Sequence, residues 1–190
     1  ENVFKYWIAG ENTYGQLGMN NRTNYSSPVQ LTSDAWSAIN SSQYATLGVK
    51  SNGTAWSWGY QSNVGELGHN QAANTNNKSS PTQIPGTTWG KSVGVGAYVM
   101  FATKTDGTLW AWGGNSNGTL GLNNTTHYSS PVQVGSDTTW ANGTNKLTSG
   151  YYTHAIKTDG TLWAWGNDWE FGTSGLNLIG KRSLPVQVPG

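Results

Sequence analysis

The side chains of this 190-residue chain with chemistry to offer are three histidines, nine carboxylates and eleven tryptophans. Cysteine is absent, which removes thiolate metal sites, disulfides and cysteine nucleophiles. His69, His127 and His154 keep no metal-ligand spacing, and none has a serine partner in the strand-turn-helix setting of a hydrolytic triad. Paired carboxylates could do acid and base work. Asp106 and Asp159 each stand directly before a glycine, where Asp serves turn geometry, which leaves Asp168 and Glu170 as a close pair in a divergent loop. Runs such as Gly65-Glu66-Leu67-Gly68 are followed by neither a helix nor Lys-Ser/Thr, so they read as tight turns and not as phosphate loops. Tryptophan faces stack on sugar rings and cations. Here Trp56, Trp58, Trp110, Trp112, Trp163 and Trp165 recur at fixed positions, which marks packing, and Trp169 falls off the pattern as a candidate surface residue. Lys50, Lys104 and Lys157 recur as well and read as exposed, solvated charges along one rim. The expectation is a protein that is not an enzyme, with no catalytic residue, metal or cofactor.

These positions belong to a repeat, and the repeat dictates the elements that carry them. A strand closing on glycine occurs at Tyr6-Trp7-Ile8-Ala9-Gly10, Ala55-Trp56-Ser57-Trp58-Gly59, Leu109-Trp110-Ala111-Trp112-Gly113 and Leu162-Trp163-Ala164-Trp165-Gly166, the glycines 49, 54 and 53 positions apart. Next comes Gly-x-Leu-Gly, at Gly15 to Gly18, Gly65 to Gly68 and Gly118 to Gly121, with Phe171 to Gly175 as a degenerate copy. Ser-Pro-Val-Gln or a near copy follows, with its proline at Pro28, Pro81, Pro131 and Pro185. A lone Trp36, Trp89 or Trp140 then precedes the next strand, and Asn52-Gly53, Asp106-Gly107 or Asp159-Gly160 leads back into the aromatic one.

Asn-Gly or Asp-Gly between short apolar runs predicts a hairpin with a primed two-residue turn, pairing Ala45 to Lys50 with Thr54 to Trp58 and likewise in the later copies. Proline is expected to open its strand, where no amide hydrogen is required. Each repeat therefore holds about four short strands. In Leu109 to Gly113 both faces are apolar, as in a sheet covered on both sides by its neighbours. The class is all-β and the architecture a stack of propeller blades. We read residues 1–190 as one repeat domain, with a partial repeat at 1–30 and full repeats at about 31–83, 84–133 and 134–187.

The order Asp-Gly, Leu-Trp-Ala-Trp-Gly, Asn, Gly-x-Leu-Gly, Ser-Pro-Val-Gln resembles the repeat of the regulator of chromosome condensation family, whose members form seven-bladed β-propellers. The resemblance implies an incomplete propeller of about three and a half blades, since seven such repeats would need nearly twice the residues present. The chain opens without Met, so further sequence upstream is expected, and the ring would be completed by additional sequence or by partner chains. One departure stands out. Where the family often places a His before the Asp-Gly turn, this chain has Gln43-Tyr44, Tyr98-Val99 and Tyr151-Tyr152, with His154 slightly displaced.

Composition narrows the partners. Charged residues are 10% of the chain against roughly 25% in ordinary soluble domains, and the net charge is +1, too little to gather nucleic acid or anionic lipid. No apolar run approaches the roughly 20 residues of a membrane-spanning helix, and the N-terminus lacks signal-peptide regions. The Asn/Thr/Gly-rich, low-charge repeats resemble those of phage tail and fibre proteins, which implies a structural or binding module on a virion surface, in host attachment or assembly, with protein, glycan or other virion proteins as partners. The alternative, implied by the family, is a regulatory protein-binding propeller such as a guanine nucleotide exchange factor or chromatin binder, placed in the cytoplasm or outside the cell. Recognition is expected in the loops after Gly-x-Leu-Gly, because strands are committed to packing and these loops vary in length. Tyr25, His69, Asn76, His127 and Tyr128 are the candidate binding residues.

Overall fold

The computed structural model describes residues 5–31, 35–74, 76–168, 172, 174–177 and 179–190. Among these residues there is no helix, and the strands form antiparallel sheets. Strands β1 (Trp7–Gly10) and β2 (Tyr25–Gln30) make a two-stranded first sheet. The second sheet runs β3 (Trp36–Ser41), β4 (Ala45–Lys50), β5 (Ala55–Gly59), β6 (Lys78–Gln83), each strand paired with the next. The third repeats this order with β7 (Trp89–Val95), β8 (Val99–Lys104), β9 (Leu109–Gly113) and β10 (Tyr128–Gln133). The fourth does so with β11 (Leu147–Ser149), β12 (Tyr152–Ile156), β13 (Leu162–Asp168) and β14 (Gly180–Gln187). By sequence β1 and β2 are the third and fourth strands of such a sheet. The first strands stack, β7 lying against both β3 and β11, so successive sheets are propeller blades.

Apolar residues on both faces of each sheet are what make this stack possible. In β9, Leu109, Ala111 and Trp112 are all fully buried. The core falls at the seams between sheets. Leu47, Val49, Ala55 and Leu67 of the second repeat meet Trp89, Val93, Met100 and Trp112 of the third, while Phe101, Leu109 and Leu120 meet Leu147, Ala155 and Trp165. A third cluster, Leu31, Trp36 and Trp58 with Ile8 and Met19, joins the first sheet to the second.

Three local expectations are corrected. The hairpin turns are not primed two-residue turns: only the glycine has positive φ, at +77° in Gly53, +82° in Gly107 and +86° in Gly160. The Gly53 N–H donates to Lys50 O at 3.0 Å and the Lys50 N–H to Thr54 O at 2.9 Å, so the loop has three residues with glycine as its left-handed bulge. The prolines do not open their strands. Pro28, Pro81 and Pro131 lie inside β2, β6 and β10, at the register shift of an end strand, where a missing N–H leaves no ladder bond unmade. The lone tryptophans Trp36 and Trp89 begin their strands, but Trp140 makes only an isolated bridge to Lys157, because residues 142–145 bulge out of the sheet before β11 while Ala141 and Lys146 stay bonded to Ile156. That excursion folds over the neighbouring sheet, where Ser92 Oγ donates to Ala141 O at 2.6 Å and the Lys91 N–H to Asn142 Oδ1 at 2.6 Å.

Candidate functional site

Each four-stranded sheet has a hairpin end, with the Asx-Gly turn, and a loop end, where the chain leaves the third strand at its closing glycine. Because Ala45 pairs with Gly59, Val99 with Gly113 and Tyr152 with Gly166, the connection before the second strand lies at the loop end too.

The hairpin end is built from one repeated circuit. Asn52, Asp106 or Asp159 accepts the N–H and hydroxyl of the Thr two residues on, at 2.7 to 3.1 Å, and that Thr hydroxyl accepts the indole N–H of Trp56, Trp110 or Trp163 at 2.8, 2.8 and 2.9 Å. Hydrogen bonding to Thr108 and Thr161 holds the Asp106 and Asp159 carboxyls below the usual carboxylate range. Lys50, Lys104 and Lys157 are half-buried, against the expectation of solvated charges. Their ammonium groups lie 4.0, 4.1 and 3.8 Å from the ring centres of Trp56, Trp110 and Trp163, and 5.2, 5.1 and 5.1 Å from Trp36, Trp89 and Trp140. The attraction of an ammonium for an aromatic face, here doubled, draws them inward. Chemistry at this end is consumed internally.

The loop end is organised by a buried amide. Asn12, Gln61 and Asn115 accept the N–H of Leu17, Leu67 and Leu120 at 2.9, 3.2 and 2.9 Å, and their own NH2 groups donate to Asn21 O, Gln71 O and Asn124 O. Asp168 fills this place in the fourth sheet, its Oδ2 accepting the Ser174 N–H at 3.1 Å and hydroxyl at 2.5 Å. Its proposed partner Glu170, like Trp169, lies outside the described residues. The loops also latch sheet to sheet. The N–H groups of Asn20, Asn70 and Asn123 donate to Ser79, Ser129 and Ser183 O of the following sheet at 2.7, 2.8 and 2.7 Å. Gly68, at φ +76°, lies so close to that sheet that a Cβ would sit 2.7 Å from Trp112 Nε1.

The five candidate residues are not gathered into one place. Tyr25 and Tyr128 are equivalent positions two repeats apart, each accepting an amide N–H at its hydroxyl, from Asn21 at 3.0 Å and Asn124 at 3.2 Å. His69 is half-buried with Nε2 3.1 Å from Ser57 Oγ and 3.2 Å from Thr82 O, and burial lowers its pKa. Asn76 sits in the insertion, its N–H donating to Ala73 O at 3.3 Å. His127 is exposed, and its Nδ1 accepts the Asn115 N–H at 2.8 Å.

His127 leads to what the sequence reading missed, a row of tyrosines along the loop end. Tyr14, Tyr44 and Tyr60 lie in mutual contact, Tyr98 stacks on Tyr44 at 6.1 Å, and Tyr98 and Tyr151 flank a cavity of about 310 Å³ that His127 helps to line. Tyr98 is 48% exposed and Tyr151 72%. Desolvation first, then neighbouring Tyr44 and Tyr60, raises the Tyr98 pKa. The signal was present in the sequence, since Tyr44, Tyr98 and Tyr151 hold the same place before the second strand, where the family's His was sought. Among the described residues no three His, Cys, Asp or Glu side chains gather to hold a metal.

The repeat has known relatives. The family model described as the regulator of chromosome condensation repeat matches residues 106–142. The regulator of chromosome condensation of Xenopus laevis is 35% identical over 130 residues, covering 66% of this chain and 30% of that protein. Among solved structures, human WBSCR16 superposes with a TM-score of 0.82 at 17% identity over 99% of this chain and 49% of its own. Saccharomyces cerevisiae Prp20p, whose structure was reported with its binding to Gsp1p and histones, gives 0.79 at 15% over 97% and 46%. The chain thus spans less than half the length of these relatives. With the repeat order, the blade geometry and these matches in agreement, the chain carries repeats of the regulator of chromosome condensation type.

Proposed function

We propose that this chain is a non-catalytic, protein-recognising stretch of propeller whose contact surface is the loop end of its blades. The observation that carries this reading is the exposed tyrosine pair Tyr98 and Tyr151 beside a preformed cavity, on an end where the loops differ from copy to copy. Aromatic side chains of this kind dominate protein interfaces. A regulatory role of the exchange-factor or chromatin-binding kind is supported by the relatives, Prp20p being described by its binding to Gsp1p and histones. The net charge of +1 supports contact through aromatic and polar groups over capture by a charged field. The test is a titration against an immobilised small GTPase and, separately, core histones. Binding that is nearly insensitive to salt and is weakened about tenfold or more in a Tyr98→Ala/Tyr151→Ala double variant supports the reading. Failure of both proteins to bind removes the regulatory role.

A second reading is an attachment module on a virion surface. What favours it is the composition, with 10% charged residues in a sequence rich in Asn, Thr and Gly. Saturable adsorption of the purified protein to bacterial cells, competed by a neutral glycan, would support this reading over the first.

A further inference from the structure

Two successive seams of the stack share a backbone and differ in side chains. At the first, Tyr60 follows the closing Gly59, and its N–H donates to Tyr44 O at 2.9 Å. Its ring lies 4.8 Å from Tyr14 and 6.0 Å from Tyr44, and Tyr14 and Tyr44 meet edge-on at 6.0 Å, so the seam is closed by three rings. At the second seam the Gly114 N–H donates to Tyr98 O at 2.8 Å in the same way. Tyr98 stands in the place of Tyr44 and Val64, before its Gly65, in the place of Tyr14. Gly114 stands where Tyr60 stood, so of the three rings only that of Tyr98 remains.

Nothing in the backbone forbids a ring there. Gly114 is not in the positive-φ region, and a Cβ on it would meet Val64 Cγ2 at 3.4 Å and Tyr98 Cβ at 3.5 Å, ordinary contacts. The cavity of about 310 Å³ opens instead, bounded by Val64, Tyr98, Gly114, Asn117, His127 and Tyr151. Apolar cavities of about 150 Å³ already admit benzene. The wall is fixed before any ligand arrives, because the fully buried Asn115 is tied to Leu120 and Asn124 by its side chain and to His127 by its N–H. With Nδ1 accepting that N–H, a neutral His127 carries its proton on Nε2 and can donate to a hydroxyl.

We infer that this slot receives an aromatic side chain, tyrosine by preference, presented by a partner polypeptide in the place that Tyr60 fills from within at the neighbouring seam. The seam that keeps its ring is the template for the occupant, and Tyr98, Tyr151, Val64 and Val99 offer apolar faces to a phenol ring, while Ser116, Asn117, Thr119 and His127 supply the polar groups of the same wall. This deepens the protein-recognition reading and rests on it.

The test uses a probe that needs no identified partner. N-acetyl-tyrosinamide titrated into the whole chain, followed by NMR, should give saturable shifts with a dissociation constant of about a millimolar, whereas N-acetyl-alaninamide and a methyl glucoside should not. Gly114→Tyr refills the slot and should weaken the probe about tenfold or more. Should that variant fail to fold, Tyr151→Ala removes one exposed wall, should leave the melting temperature unchanged and should weaken the probe by a similar factor. No saturable binding to the wild type, equal binding of the glucoside, or binding unchanged in the folded variants overturns the inference. Failure of the GTPase and histone titrations while the probe still binds at the slot would instead fault the choice of partner.

Discussion

The hairpin end and the loop end of the blades obey different rules. At the hairpin end the copies are near replicas, with the three lysine to tryptophan separations agreeing within 0.3 Å, between 3.8 and 4.1 Å. At the loop end the buried amide, the Gly-x-Leu-Gly latch and the tyrosine before the second strand persist, while Tyr60 gives way to Gly114 and Tyr14 to Val64. The difference follows from where each side chain finds its partner. Thr, Trp and Lys at the hairpin end satisfy one another within a single sheet, so changing one strands the others. Side chains facing outward across a seam owe nothing to the repeat and can diverge toward a ligand.

The largest expected effect breaks the part that both ends share. Trp112 is fully buried and covered by the latch glycine of the preceding repeat, so Trp112→Ala should cost about 3 to 5 kcal/mol, as for other buried aromatics. His127→Ala, which leaves the core intact and removes only the acceptor of the Asn115 N–H, should cost about 1 kcal/mol. Chemical denaturation of the two variants reads the contrast, and equal losses would refute the placement of the core at the seams.

A smaller effect tests whether the hairpin circuit stabilises the blade. Lys104 lies over Trp110 at 4.1 Å and beside Trp89 at 5.1 Å, half-buried, so Lys104→Met, which keeps the stem and removes the charge, should cost about 1 to 2 kcal/mol. If Lys104→Met were as stable as the wild type, the stem and not the cation would be what matters.

How much of this was legible differs between the two ends for the same reason. The repeat, the four-stranded sheets and the double-sided burial of Leu109 to Gly113 followed from spacing, because packing forces recurrence. The lysine clamp was missed although Lys50, Lys104 and Lys157 recur in step with the tryptophans. A charge at a strand end reads as solvated until the fold brings the first strand's Trp36, Trp89 or Trp140 beside it. The slot was less legible still, since it is made by an absence at Gly114 and by residues from two repeats, Val64 and Tyr98, which no local pattern joins. His127 alone among the expected binding residues lines it.

At the loop end, Glu66 occupies the place held by Gln16 in the first repeat. It is buried, with Oε2 accepting the Ser62 N–H and hydroxyl at 2.9 and 2.8 Å and Oε1 without a hydrogen-bond partner, and burial raises its pKa. A carboxyl whose folded pKa lies above its unfolded value binds its proton more tightly when folded. Stability is then greatest below the unfolded pKa and falls as pH rises through the folded one. Glu66→Gln should therefore stabilise the protein by about 1 kcal/mol at pH 7 and abolish this decline, measured as melting temperature from pH 4 to pH 7. A destabilised variant at pH 7 would mean that the ionised form is the one the loop requires.

The smallest effect belongs to the hairpin end of the fourth sheet, where Lys157, already over Trp163, also pairs with Asp137. The Lys157 ammonium and then the Thr139 hydroxyl hold the Asp137 carboxyl at about 2, below the ordinary aspartate value of 3.8. A depressed carboxyl pKa gives stability that is present above the unfolded value and lost as pH falls through the folded one, so the window runs from about pH 4 down to about pH 2. The Asp137 side chain is 33% exposed, and solvent screening limits the contribution to less than about 1 kcal/mol. Asp137→Asn keeps an acceptor for the Thr139 N–H and hydroxyl, at 2.8 and 2.6 Å in the wild type, and removes only the charge. Denaturation midpoints should therefore differ slightly at pH 6, converge by pH 2, and draw together at high salt. A gap that persists unchanged at pH 2 would show that the turn's hydrogen bonds, and not the ion pair, anchor Lys157 over its two tryptophans.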